Sequence, residues 1–235
     1  MRHFANRESF TTNDVYDYFS KTQPDIKRAT VNWRIYNLVQ QGLLKRIGRG
    51  IYSLGKGICF LPVLDKKQKS IFSQIKKKFP LITLCCWHTS SLKEFFQHVS
   101  MYDFLLVEVE REVIDSVFHF VKEINQEKYT FKEPLHEMMG MFVLESKGSI
   151  IVKSLTSEAP LQDVDHITVP SIEKILVDLY ADSDIFSFLQ GSEMLNIFES
   201  ALGKYTVNTN RLLRYAKRRN KEKDIRNILA QISGK

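Results

Sequence analysis

The sequence predicts an α+β protein in three parts: a winged helix-turn-helix over residues 1–57, a mixed α/β domain over 58–203, and a basic helical tail over 204–235. Three observations predict it. Two helix-period patterns and a glycine-punctuated hairpin fill the first part. Strand-like and helix-like runs then alternate, as layered α/β domains require. Charge segregates along the same boundaries. The parts hold 10 Lys and Arg against 4 Asp and Glu, then 14 against 21, then 10 against 2, for net charges of +6, −7 and +8. Basic ends around an acidic middle suggest a polyanionic partner for at least one end.

The first helix is expected within "FTTNDVYDYF". Thr11 and Thr12 are cap candidates, and Asp14 falls in the first turn, where it suits the helix dipole. Val15, Tyr18 and Phe19 make one apolar face. "SKTQPD" then breaks the chain, with Pro24 and a candidate cap at Asp25. A second helix is expected over 26–41, closed by Gly42. Its apolar stripe is Val31, Ile35, Leu38 and Val39. Trp33 is expected in the core or between domains, because duplex-DNA readers rarely stack on bases.

"LLKRI" and "GIYSL" read as antiparallel strands around the turn Gly48-Arg49-Gly50, whose glycines suit positive φ. Two helices followed by a small basic hairpin form the winged pattern. Arg49 at the tip is placed to meet a phosphate or a minor groove, and the preceding helix to enter a major groove. A protein-binding winged helix with a merely solvated hairpin is the alternative.

In the body, "DKKQKSIFSQIKKKF" is a helix with a lysine-coated, solvated face, and "PLITLCCW" is a buried strand. "TSSLKEFFQHV" is a helix capped by Thr89 or Ser90, "DFLLVEVE" a strand and "VIDSVFHFVKEIN" a helix. "EMMGMFVLES" and "GSIIVKSL" are expected strands. "VPSIEKILVDLYAD" is a helix opened by Pro170 and Ser171, with Glu173 early in it. The tail reads as a helix or helix pair. Leu212, Leu213, Ala216, Ile225, Ile228, Leu229 and Ile232 are set to pack on the body. Arg211, Arg214, Lys217, Arg218, Arg219 and Lys221 are left as a positive ridge. That ridge either neutralises the acidic body or meets DNA or an acidic protein partner.

Site chemistry is sparse. The sequence has no GxGxxG, P-loop, HExxH or GxSxG pattern. Six scattered histidines and three cysteines without ligand spacing predict no metal site and no cofactor. Cys85 and Cys86 beside His88 read as core thiols more readily than as a nucleophile. Glu108 and Glu110, or Glu173, Lys174 and Asp178, are the candidates for a Mg²⁺-dependent nuclease. Alternating glutamates on a half-buried strand usually face water, and Glu173 and Asp178 share a helix face poorly. The unpaired cysteine count, the lack of an apolar leader and apolar runs too short to span a bilayer predict a cytoplasmic protein with no membrane partner.

The succession "LLKRIGRGIYSL", "ITVPSIEKILVDLY" and "NRLLRYAKRR" resembles the AbiEi antitoxin family of type IV toxin–antitoxin, abortive-infection systems. In that family a wing ending in a glycine-tyrosine motif precedes a body helix of similar pattern and a late helix rich in Arg and Tyr. The resemblance implies a phage-defence transcriptional regulator that represses its own operon and counters a separately encoded nucleotidyltransferase toxin. It brings no catalytic residues. It implies operator contacts at Lys27, Arg28, Thr30, Asn32, Arg34, Lys45, Arg46 and Arg49, and leaves Arg211, Arg214, Lys217, Arg218 and Arg219 as a toxin- or DNA-facing set. The expectation is a DNA-binding regulator of antitoxin type and not an enzyme. The rivals are a winged-helix-targeted metal-dependent nuclease and a protein-interaction adaptor.

Overall fold

Two units make up the chain in the computed structural model: Met1–Phe60 with Leu202–Asn208, and Leu61–Ala201 with Thr209–Lys235. The structure describes all residues except 1–3, 5–6, 8, 41–42, 55–57, 96–102, 127–128, 144–145, 147 and 234–235. The tail expected as a third part thus belongs, from Thr209 on, to the second unit.

In the first unit, strand β1 (Phe10–Thr11) leads directly into helix α1 (Thr12–Thr22). The helix starts there because Thr11 and Asp14 cap it reciprocally. The Asp14 amide donates to Thr11 Oγ1 at 3.2 Å, and the Thr11 amide donates to Asp14 Oδ2 at 2.6 Å. Helix α2 (Arg28–Gln40) begins two residues later than expected. Gly42, expected to close it, lies outside the described residues.

Strands β2 (Leu44–Gly48) and β3 (Ile51–Leu54) form the expected antiparallel hairpin. β1 adds to β3, giving the order β1-β3-β2. Gly50 has φ 70°, a conformation that glycine adopts without strain. Its carbonyl accepts from the Thr12 amide at 2.9 Å, which ties the hairpin tip to the start of α1. Phe4, Phe10, Val15, Val31, Ile35, Leu44 and Tyr52 form the core. Ile58 bridges to Tyr205, whose ring meets that of Phe60 edge-on at 5.2 Å.

The second unit is built on a four-stranded sheet. Its strands are β4 (Leu84–His88), β5 (Phe104–Val109), β6 (Thr130–Lys132) and β7 (Ser149–Ser154), in the order β4-β5-β7-β6. Only the β4–β5 pair is antiparallel. Helices α3 (Lys66–Lys78) and α4 (Ile114–Ile124) supply Ile71, Ile75, Val117 and Val121 to a core shared with Leu105, Val107, Val109, Ile150 and Val152. Side chains alternate across a strand. Leu106 and Glu108 of β5, with Lys153 of β7, therefore point to the opposite face. Helix α6 (Ile172–Ala181), opened by Ser171 as expected, lies on that face. The C-terminal pair, α8 (Thr209–Arg218) and α9 (Glu222–Ser233), follows, with Tyr215 of α8 bonded to Asp178 of α6.

Several elements differ from expectation. The start of "EMMGMFVLES" is helical: α5 (His136–Met138) runs into a wide turn over Met139–Val143, and 144–145 lie outside the described residues. Its buried residues, Met139 and Val143, are four apart, a helical spacing that outweighs β propensity. "TSSLKEF" is a tight 3₁₀ helix over Thr89–Phe95, and the rest of that expected helix lies outside the described residues. A hairpin of β8 (Leu161–Val164) and β9 (Ile167–Pro170) was not expected. It turns on Asp165 and His166, both at positive φ. Helix α7 (Ser192–Lys204) was not expected either. Among the described residues, no helix is long and apolar enough to cross a membrane.

Candidate functional site

The residues expected to contact DNA fall into two groups. Lys27, Thr30, Asn32, Lys45 and Arg49 are exposed. Arg28, Arg34 and Arg46 are engaged within the unit. Arg28 lies 4.7 Å over the Tyr16 ring and donates to Asn13 Oδ1 at 3.0 Å. Arg34 lies 4.7 Å over the Phe19 ring and donates to Gln23 Oε1 at 3.1 Å. Arg46 Nε donates to the Gly48 carbonyl at 3.2 Å, stiffening the hairpin below Arg49.

Trp33 is not a core residue: it is 64% exposed, and Tyr36 on the next turn is 61% exposed. At 100° per residue both lie opposite the stripe of Val31, Ile35 and Leu38. The helical phase alone could have shown this. Ile47 and Ile51 are also exposed, on the outer face of the hairpin.

The second unit holds a buried charge cluster. Lys174, fully buried, donates to both carboxylate oxygens of Glu108 at 2.7 Å and to Asp178 Oδ2 at 2.5 Å. Glu108 also accepts from Trp87 Nε1 at 2.9 Å, and Lys153 Nζ lies 3.5 Å from it. Lys153 pairs with Asp182 at 2.6 Å. Arg219 joins Asp182 at 2.5 Å and Asp178 at 3.5 Å. The Tyr215 hydroxyl donates to Asp178 at 2.8 Å. Three carboxylates thus meet three cations.

The electrostatics follow from that balance. Burial disfavours the Asp178 anion, but Lys174, Lys153 and Arg219 outweigh it and hold the carboxyl at about 2. Burial likewise opposes the charge on Lys174, yet Asp178 and Glu108 raise its pKa well above that of an ordinary lysine. A water-facing Glu108 was expected, and the structure overturns this. The sequence carried a signal for it: Glu108 and Lys153 each interrupt an apolar strand, and they are register partners across β5 and β7.

The nuclease candidates do not converge as free carboxylates. Glu110, beyond the end of β5, accepts from the Thr83 amide at 2.6 Å, and buried Glu173 accepts from the Ser171 hydroxyl at 2.5 Å. Among the described residues, no group of three or more His, Cys, Asp or Glu could hold a metal ion. Cys85 and Cys86 are buried on β4, and burial pushes both thiols up, away from the reactive thiolate. His88 Nδ1 is 2.8 Å from Ser90 Oγ.

The tail ridge is split. Arg219, expected on the surface, is turned inward into the buried cluster, because Asp178 and Asp182 offer it two carboxylates. Arg211 is half-buried and donates to the Leu161 carbonyl at 3.0 Å. Arg218 is exposed and pairs with Glu158. Arg214 and Lys217 are exposed on α8. A cleft of about 440 Å³ beside the cluster is lined by Lys153, Asp182, Arg219, Ser154, Glu133 and Leu135 among others.

Fold and site together define a mixed α+β protein with a basic helix-and-hairpin surface on one unit and a charge-balanced buried cluster in the other. Residues 30–235 match the family described as "Family of unknown function (DUF6577)", and the chain belongs to that family. No curated protein matches the chain.

Proposed function

We propose that the protein is a DNA-binding transcriptional regulator of antitoxin type, with the first unit as a winged helix-turn-helix. One observation carries this reading. The β2–β3 hairpin ends on exposed Arg49 between two glycines and follows a helix with a fully exposed outer face. The strand order β1-β3-β2 and the tie from Gly50 to Thr12 hold the hairpin as a wing requires. In this reading α2 enters a major groove, while Lys45 and Arg49 meet phosphate. The excess of positive charge over residues 1–57 supplies non-specific attraction.

The antitoxin part rests on the likeness to AbiEi antitoxins in the order of motifs. In this role the chain represses its own operon and counters a nucleotidyltransferase toxin, with Arg214 and Lys217 available on α8 for an acidic partner. The nuclease reading is weaker: a divalent ion would have to displace Lys174, Lys153 and Arg219 from the carboxylates they neutralise.

A gel-shift titration of the full chain with its own upstream DNA tests the regulator reading. Retardation that weakens steeply with salt is expected, about 0.9 in log–log slope per phosphate contacted. Absence of any shift at low salt would refute it. Rescue of cells from a co-expressed neighbouring nucleotidyltransferase tests the antitoxin role separately.

A further inference from the structure

Among the described residues of α2, Arg28, Ala29, Thr30, Asn32, Trp33 and Tyr36 are exposed, and Arg28, the one basic residue of that set, is held against α1. Arginine is the commonest side chain reading guanine, by a bidentate bond to O6 and N7. Both arginines of α2 are turned onto α1: Arg28 onto Tyr16 and Asn13, Arg34 onto Phe19 and Gln23. Asparagine pairs with the adenine edge, and threonine and apolar groups contact the thymine methyl. Two large aromatic side chains at i and i+3, each more than half exposed, are unusual on a free helix face. Exposed Lys27, Lys45 and Arg49 in the same unit make a polyanion the complementary occupant.

We infer that α2 reads A·T pairs: Trp33 and Tyr36 cover thymine methyls from the major groove, and Asn32 meets an adenine edge. Lys27, Lys45 and Arg49 then bind phosphate without regard to sequence. The inference rests on the DNA-binding reading above and adds to it the composition of the site.

Selection of full-length protein against a random duplex library tests it, followed by titration of a recovered duplex in which uracil replaces thymine. That replacement removes only the C5 methyl. An A·T-rich core is expected, with a loss of about fourfold in affinity per covered methyl. Trp33→Ala and Tyr36→Ala should each reduce the thymine–uracil difference, and the double variant should erase it, with the salt slope unchanged throughout. Recovered sites centred on G·C, or uracil duplexes bound equally well, would overturn the inference and leave DNA binding standing. No duplex retained at low salt would overturn both. Trp33-dependent self-association in that case would assign the face to a second copy of the chain.

Discussion

Replacing Lys174 by methionine should reveal how much the buried cluster contributes. The ammonium is fully buried and is shared between Glu108, at 2.7 Å to each oxygen, and Asp178 at 2.5 Å. Removing one member of a buried ion pair costs about 3–5 kcal/mol, because the remaining charge is left without compensation. Here compensation is partial. Glu108 keeps Trp87 Nε1 at 2.9 Å and Lys153 at 3.5 Å, and Asp178 keeps Tyr215 at 2.8 Å and Arg219 at 3.5 Å. The lower end applies, about 3 kcal/mol, or roughly 6–12 °C in Tm for a unit of this size.

The assay is urea unfolding followed by Trp87 fluorescence in a Trp33→Phe background, which leaves Trp87 as the one tryptophan. Trp87 is bonded to Glu108, so it reports on the cluster itself. The midpoint should fall at constant m value. Adding Glu108→Gln should recover part of the loss, since the unpaired buried carboxylate is then gone. A Lys174→Met cost below about 1 kcal/mol, or a double variant worse than the sum of the singles, would refute a dry, tightly coupled cluster.

Asp178 ionises at about 2 in the fold against an ordinary 3.8, so its ionised form stabilises the fold above pH 4. That contribution, about 2 kcal/mol, should disappear as pH falls from about 4 to about 2, and Asp178→Asn should lose the corresponding slope in a urea-midpoint series. On α8, Leu212 is fully buried, and Leu212→Ala should cost about 2–5 kcal/mol by thermal denaturation. On the same helix Arg214→Ala should leave Tm within about 1 °C, whereas Arg219→Ala, beyond its end, should lower it measurably. Arg49→Ala should weaken binding to every duplex alike and lower the log–log salt slope by about 0.9, measured by fluorescence anisotropy.

The first unit was largely legible in the sequence because its signals are local. A Thr11–Asp14 capping box, a 3.6-residue apolar stripe and a glycine-flanked turn each act within a few residues. Trp33 is placed inside by an argument from base stacking, where phase counting puts it outside. In the second unit the strong strands and α6 were legible from apolar runs. The β8–β9 hairpin was not, since it turns on Asp165 and His166, without the glycine that usually marks such turns. The buried cluster was the hardest to see. Its members lie on β5, β7, α6 and the chain just after α6 and α8, and only the tertiary fold brings them together. Single sequence windows show Glu108 and Lys153 as isolated charges, and nothing local says that each answers the other.

The facing of Glu108 and Lys153 has a consequence for assembly of the sheet. β5 and β7 are parallel neighbours separated by α4 and β6 in the chain, so their alignment must be found over a long loop. Leu105, Leu106, Val107 and Val109 of β5 and Ile150, Ile151 and Val152 of β7 are interchangeable aliphatic side chains, which would tolerate a slipped alignment on packing grounds. A slip by one residue would turn Lys153 to the face lined by Val107 and Ile150, and Glu108 would lose its lateral partner. One oppositely charged pair therefore acts as an index mark between two nearly uniform strands. It makes the native alignment the one in which neither charge is stranded in hydrocarbon.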